Sequence, residues 1–205
     1  MSIRWLVRVL AAWCLSFFAV SVSSASCDLF QLEFNEIQYA PLAGELQYVE
    51  IKNQGAEPAW IGGVEIVSGE KRFTVPSYLA SQMPPGALLV IYFGDTGAGV
   101  EDVDFADDGL AVLYADDAAF LGNPVGSAAL HRITGDAEPQ TCMDFVAWGG
   151  EPGDAAASAV AARKWPSELD YIATRTEPQF AIAGPFTPMT PGGSLIRVGE
   201  DWAVA

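Results

Sequence analysis

Few side chains in this sequence have the type and spacing for chemistry. The single histidine, His131, could act as a general base only with a nucleophile and an orienting acid beside it. No G-x-S-x-G elbow and no Cys/His signature accompanies it, so a strand-surface or turn histidine is the plainer reading. Glu36 and Glu50 fall on strand-like segments and could pair as acid and base. Spacing alone, however, does not select a glycosidase pair from the carboxylates of a sheet surface. The densest cluster runs from Asp95 to Asp117, where Asp95, Glu101, Asp102, Asp104, Asp107, Asp108, Asp116 and Asp117 occur without a Lys or Arg. Calcium takes roughly six to eight oxygen ligands, and Asp102, Asp104, Asp107 and Asp108 lie close enough in sequence to share an ion. Their spacing is not that of an EF-hand loop, and a solvated acidic loop is the alternative. Trp60, Trp148, Trp165 and Trp202 would form a carbohydrate platform if exposed together, and would cap or fill a core otherwise.

The elements that must position these residues alternate with a period of two. Phe30, Leu32 and Phe34 take one phase, which slips at Asn35-Glu36 so that Ile37 and Tyr39 carry it on; such a slip predicts a bulge or bend. Val49 and Ile51 alternate with Tyr48, Glu50 and Lys52, the pattern of a half-buried strand. Asn53-Gln54-Gly55 predicts a turn with Gly55 at positive φ, and Gly62-Gly63 a second break. Lys71 to Val75 is a short strand ended by Pro76. Ala87 to Phe93 is continuously apolar, as expected of a strand buried on both faces. Gly109 to Tyr114, Ala128 to Ile133, Cys142 to Trp148 and Ser194 to Val198 complete the strands. In Cys142 to Trp148, Met143, Phe145 and Ala147 are expected on one face, and Cys142, Asp144, Val146 and Trp148 on the other. Asp154 to Lys164 is the one helical stretch, with Asp154 as its cap, and Pro185 to Gly193 reads as an extended loop. Eight to ten short strands with one short helix in a late insertion predict an all-β, immunoglobulin-like antiparallel sandwich with Greek-key connections; a jelly roll or closed barrel is the structural alternative.

The N-terminal segment stands outside that pattern. Arg4 and Arg8 precede a mostly apolar stretch from Val9 to Val22, followed by Ser23-Ser24-Ala25, which is the layout of a secretory signal peptide cut after Ala25. The expected mature unit is a single domain from Ser26 to Ala205, secreted or held in the periplasm or cell envelope, with no membrane insertion after cleavage. Losing Arg4 and Arg8 takes the formal net charge from −16 to −18. Such a surface excludes nucleic acid as a partner and favours basic proteins or cations. Of the three cysteines, Cys14 leaves with the leader, and Cys27 and Cys142 are expected to pair. In the chain-entropy view, closing so long a loop is worth about 4–5 kcal/mol. Lipidation of Cys27 is the alternative, although Ser24 stands where a lipobox has Leu.

The segments FNEIQYAP, GELQYVEIKNQG, AWIGGVEIVSGEKRFTVP, MPPGALLVIYFGD, CMDFVAWGG and GGSLIRVGEDW follow one another in an order that resembles the lamin-tail domain family, in its exported bacterial form. The resemblance covers Leu32 to Trp202, with the acidic stretch and the Asp154 to Pro191 segment as departures. It implies an immunoglobulin-like fold and a non-catalytic role in protein or surface contacts, with no catalytic residues and no resident cofactor. The chromatin and nuclear-envelope partners of nuclear lamins do not carry over to an acidic exported chain. A calcium-dependent adhesion or carbohydrate-binding module is the second expectation, and a hydrolase using surface carboxylates the third.

Overall fold

Strict alternation of side chains builds the centre of the molecule. A computed structural model of the chain describes residues 31–79, 82–94, 97, 99–132, 141–150, 152, 156–167, 172, 194–198 and 201–204. Its strands are β1 (Leu32–Gln38), β2 (Gln47–Asn53), β3 (Ala59–Trp60), β4 (Val64–Ser68), β5 (Lys71–Thr74), β6 (Gln82–Met83), β7 (Leu88–Phe93), β8 (Leu110–Ala115), β9 (Gly126–Arg132), β10 (Cys142–Trp148), β11 (Leu195–Val198) and β12 (Asp201–Val204), with one helix, α1 (Ala157–Ala161). A six-stranded sheet in the order β12-β11-β1-β2-β7-β8 packs on a four-stranded sheet in the order β10-β9-β4-β5. The two-residue strands β3 and β6 form a separate ribbon. This is the all-β sandwich with one short helix that the alternation predicts. Phe34, Ile37, Val49, Ile51, Ile66, Leu89, Ile91, Leu113, Leu130, Val146 and Trp148 fill the space between the sheets.

The phase slip in β1 is a bulge. Its pairing with β2 steps from Phe34↔Ile51 to Glu36↔Glu50, which leaves Asn35 as the extra residue and lets Phe34 and Ile37 both face inward. A second bulge, between Cys142 and Asp144 in β10, corrects the expected faces of that strand. Met143 joins Val146 and Trp148 in the main core, while Cys142, Phe145 and Ala147 form a smaller cluster with Ala156 and Ala159 beside α1. The helix is shorter than expected. Asp154 lies outside the described residues, and Ala156 occupies the cap position without a side-chain bond. The C-terminus closes through Arg163, at φ 60°, with bonds from the Arg163 and Lys164 N–H groups to the Val160 and Ala159 carbonyls. Gly55 is likewise not the positive-φ residue of its turn; the turn is made by the Asn53 side chain, whose Oδ1 accepts the Gly55 N–H at 2.9 Å.

One pairing departs from the antiparallel expectation: β7 and β8 run parallel, with Leu88↔Leu110 through Phe93↔Ala115 in register. The acidic stretch between them carries the chain back along the sheet. On the way it forms an antiparallel bridge from Asp102 to Val112, by bonds of 2.7 and 3.0 Å, along the outer edge of β8.

The sheets are also joined by charge. The Asp144 side chain on β10 and the Arg197 side chain on β11 are only 6% and 10% exposed and pair at 2.5 Å. Asp144 Oδ2 accepts the Phe34 N–H at 2.8 Å, and Arg197 Nε donates to the Phe34 carbonyl at 2.9 Å. The guanidinium lies 4.8 Å from the centre of the Trp202 ring. Burial pushes the Asp144 carboxyl above the usual carboxylate range, opposed by Arg197 and by the Phe34 N–H. Replacing Arg197 with Met should therefore cost about 3–5 kcal/mol in urea unfolding, because a buried acid loses its counter-charge. The double variant D144N/R197M should cost less, and equal losses in the two would refute a charge-based origin.

Candidate functional site

The outward positions of the six-stranded sheet form two lateral rows. Gln38, Tyr48, Tyr92 and Tyr114 stand in register across β1, β2, β7 and β8. Glu36, Glu50, Val90 and Val112 make the adjacent row. The Tyr92 and Tyr114 rings stack at 5.4 Å with an 18° interplanar angle, and Tyr48 lies 5.5 Å from Tyr92, tilted by 60°. At that spacing Tyr92 and Tyr114 stand on the sheet face to face, so they present edges and hydroxyls outward. Gly99 closes the far end: a Cβ there would come within 2.4 Å of Tyr114 ring atoms, so only glycine lets the acidic loop lie against that ring. Gln38, Glu45, Leu46, Tyr48, Tyr92 and Tyr114 line a groove of about 470 Å³ along the row.

Carboxylates set the electrostatics of this face. Glu36 accepts hydrogen bonds from the Tyr48 hydroxyl, at 2.6 Å, and from the Ser194 hydroxyl. Glu50, its direct partner across the β1–β2 ladder, accepts from the Asn35 amide, so the bulge residue serves the site. Burial pushes the Glu50 carboxyl up; Asn35 opposes this and the Glu36 charge adds to it. Burial likewise raises the Tyr48 hydroxyl, with Glu36 reinforcing the shift. Tyr92 is raised by burial, then by Tyr114, Glu50 and Glu36. Both phenols thus stay neutral in a field that disfavours further negative charge.

The sequence-derived candidates fall elsewhere, apart from Glu36 and Glu50. Asp102, Asp104, Asp107 and Asp108 do not converge. Each carboxylate accepts a nearby backbone N–H of its own loop, those of Asp104, Ala106, Asp108 and Leu110 respectively, at 2.8–3.0 Å. Among the described residues no group of three or more His, Cys, Asp or Glu is placed to hold a metal. The four tryptophans are also dispersed. Trp148 is fully buried, stacked on Tyr39 at 4.9 Å and bonded to the Gly122 carbonyl. Trp165 packs edge-on against Phe145, Trp202 covers Arg197, and Trp60 is 52% exposed on the β3 ribbon. Cys142 is a buried thiol, free among the described residues, and Cys27, its expected partner, lies outside them, as do all of residues 1–30. Burial pushes the Cys142 thiol up to about 12, the direction opposite to that of a nucleophile, although His131 is its register partner. His131 is buried with Nδ1 3.2 Å from the Thr141 hydroxyl.

The tyrosine row was not identified from sequence. Its signal is present, since each tyrosine occupies the outward phase of a strand, but the row exists only because β7 and β8 pair in parallel and in that register. No family model matches the chain, and no curated protein matches it significantly.

Two measurements test these placements. The aspartate loop is held by its own backbone, so the melting temperature should be the same in millimolar calcium and in chelator. A rise with calcium would support the ion-binding reading instead. Burial lowers the His131 pKa, with Arg72 adding to the shift and Glu65 opposing it. The unfolded chain therefore takes up that proton first as pH falls through about 6.5, and the native state loses stability there. The stability advantage of the native protein over H131Q should shrink between pH 7.5 and pH 5, and a constant difference would refute this.

Proposed function

We propose that the chain is an exported, non-catalytic interaction module that holds a protein or cell-surface partner against the outer face of its six-stranded sheet. The observation that carries this reading is the in-register row Tyr48, Tyr92 and Tyr114, half-exposed beside half-exposed Leu88, Leu110 and Val112. An apolar and aromatic strip of this kind marks a contact surface, and tyrosine is a residue type on which contact energy concentrates. The resemblance to lamin-tail domains supports a role without catalysis, and the acidic surface supports a partner of basic character. Tyr92 and Tyr114, stacked face to face, turn their edges outward and leave Tyr48 as the one ring of the row with a face to offer, which is less than the multi-ring platform of the carbohydrate-binding alternative. One observation favours chemistry instead, namely that Glu36 and Glu50 are direct cross-strand neighbours. Both are held as hydrogen-bond acceptors, which supports a binding role for the pair.

A photo-crosslinking amino acid placed at Tyr92 or Val112, in cells that make the protein, should give a discrete partner adduct. The same group at Arg72, exposed on the other sheet, should not. Equal adducts from all three positions would refute the assignment of the face. A hydrolytic turnover abolished by Glu50→Gln would replace the module reading with the enzymatic one.

A further inference from the structure

We infer that the groove along the tyrosine row takes an arginine side chain presented by a protein partner. This rests on the reading of that face as the binding surface and adds the chemistry of what it holds. Three features converge on a planar cation. First, the groove is lined by three phenol rings, and the Tyr48 ring is tilted out of the Tyr92–Tyr114 stack, which leaves it available to a flat group. Guanidinium lies on aromatic rings more readily than ammonium does. Second, among the described residues the one charged group lining the groove is Glu45, an exposed carboxylate whose Oε2 accepts the Leu42 N–H at 3.0 Å and is thereby fixed in place. Third, Glu36 and Glu50 stand in the adjacent row, beside Gln38 and Tyr48, and after burial and Tyr114 their charges add to what keeps the Tyr92 hydroxyl protonated. A field that resists an added negative charge favours an added positive one. The phenol oxygens offer further acceptors for the N–H fork, since the Tyr48 hydroxyl donates its proton to Glu36 and keeps its lone pairs.

The competing ligand chemistries fit less well. A carboxylate or phosphate would meet Glu45, with Glu36 and Glu50 in the next row, and no cation among the described residues lines the groove to compensate. A neutral apolar group would bury the phenol edges without using the charge.

The test is calorimetric titration of the purified protein with an acetylated, amidated tetra-arginine peptide and with its tetra-citrulline counterpart, which keeps the shape and removes the charge. We expect one-to-one binding of the arginine peptide, about tenfold or more tighter than citrulline, and weakened by salt. Glu45→Gln, on an exposed residue that keeps its backbone bond, and Tyr92→Leu, which removes an acceptor hydroxyl from the groove, should each lower the affinity about three- to tenfold. Asp107→Asn with Asp108→Asn, remote in the loop, should leave it within twofold. Arginine binding that is unchanged by Glu45→Gln and Tyr92→Leu but falls in the loop variant would mean attraction to the acidic surface in general, and would overturn the inference. No binding of the arginine peptide at millimolar concentration would also overturn it. In that case a crosslink from Tyr92 would still locate a partner on this face, of different chemistry.

Discussion

The structure depends on how the backbone of Phe34 is satisfied. Among the described residues β1 pairs with β11 only at Glu36 and Ile37, so the N–H and C=O of Phe34 that face that side have no ladder partner there. A buried peptide group left unpaired costs as much as a lost hydrogen bond. Asp144 accepts the N–H, Arg197 donates to the C=O, and the two then pair with each other. One ion pair thereby replaces two missing ladder bonds and ties a strand of each sheet to a third. Buried ion pairs are seldom stabilising in themselves, since desolvation offsets most of the attraction. Here the pair is retained because removing either member strands a peptide group as well as a charge.

The bulge that requires this arrangement also shapes the outer face. Asn35 is the inserted residue, and its amide holds Glu50 while Phe34, one position earlier, is gripped from within the sandwich. Glu36, one position later, receives the Tyr48 and Ser194 hydroxyls. Three consecutive residues of β1 thus couple the buried ion pair to the carboxylate row beside the tyrosines. At the other end of the row, the parallel entry of β8 requires a return segment, and that segment both bridges β8 at Asp102 and lays Gly99 on Tyr114. Asp102, Asp104, Asp107 and Asp108, which lead from the bridge to β8, fix the turns of the return through bonds to its own backbone.

Much of the scaffold was legible because it follows from local rules. The phase slip at Asn35 gave the first bulge, the alternation at Val49 and Ile51 gave the central strand, and the continuous run from Ala87 to Phe93 gave a strand, although not one buried on both faces: β7 is interior to its sheet, yet Leu88 and Tyr92 on its outer face stay half-exposed. What escaped depends on pairing. Nothing local to Met143 signals that a bulge turns it toward the main core, and nothing local to Leu110 signals that β8 runs parallel to β7. The site suffered most from this. The acids were conspicuous in sequence because they lie within a few residues of one another, yet they serve their own loop. The tyrosines are separated by 44 and 22 positions, and they meet only through strand register.

The location of the candidate face follows from an asymmetry between the two layers. On the four-stranded sheet, the outward side of β10 is covered by α1: Phe145 and Ala147 pack with Ala156, Ala159 and Trp165, and all seven residues of the strand are buried. Ile172 adds a parallel bridge at Trp148. On the six-stranded sheet, the equivalent outward residues of β7 and β8 are as apolar, yet Leu88, Tyr92, Leu110, Val112 and Tyr114 remain half-exposed among the described residues. A helix was recruited to cover one apolar face. The other is left to tyrosines, which bury a ring and keep a polar tip in water, with carboxylates beside them. Tyrosine tolerates exposure where leucine or phenylalanine would drive aggregation, so an aromatic row of this type can stand in water where a bare apolar face could not.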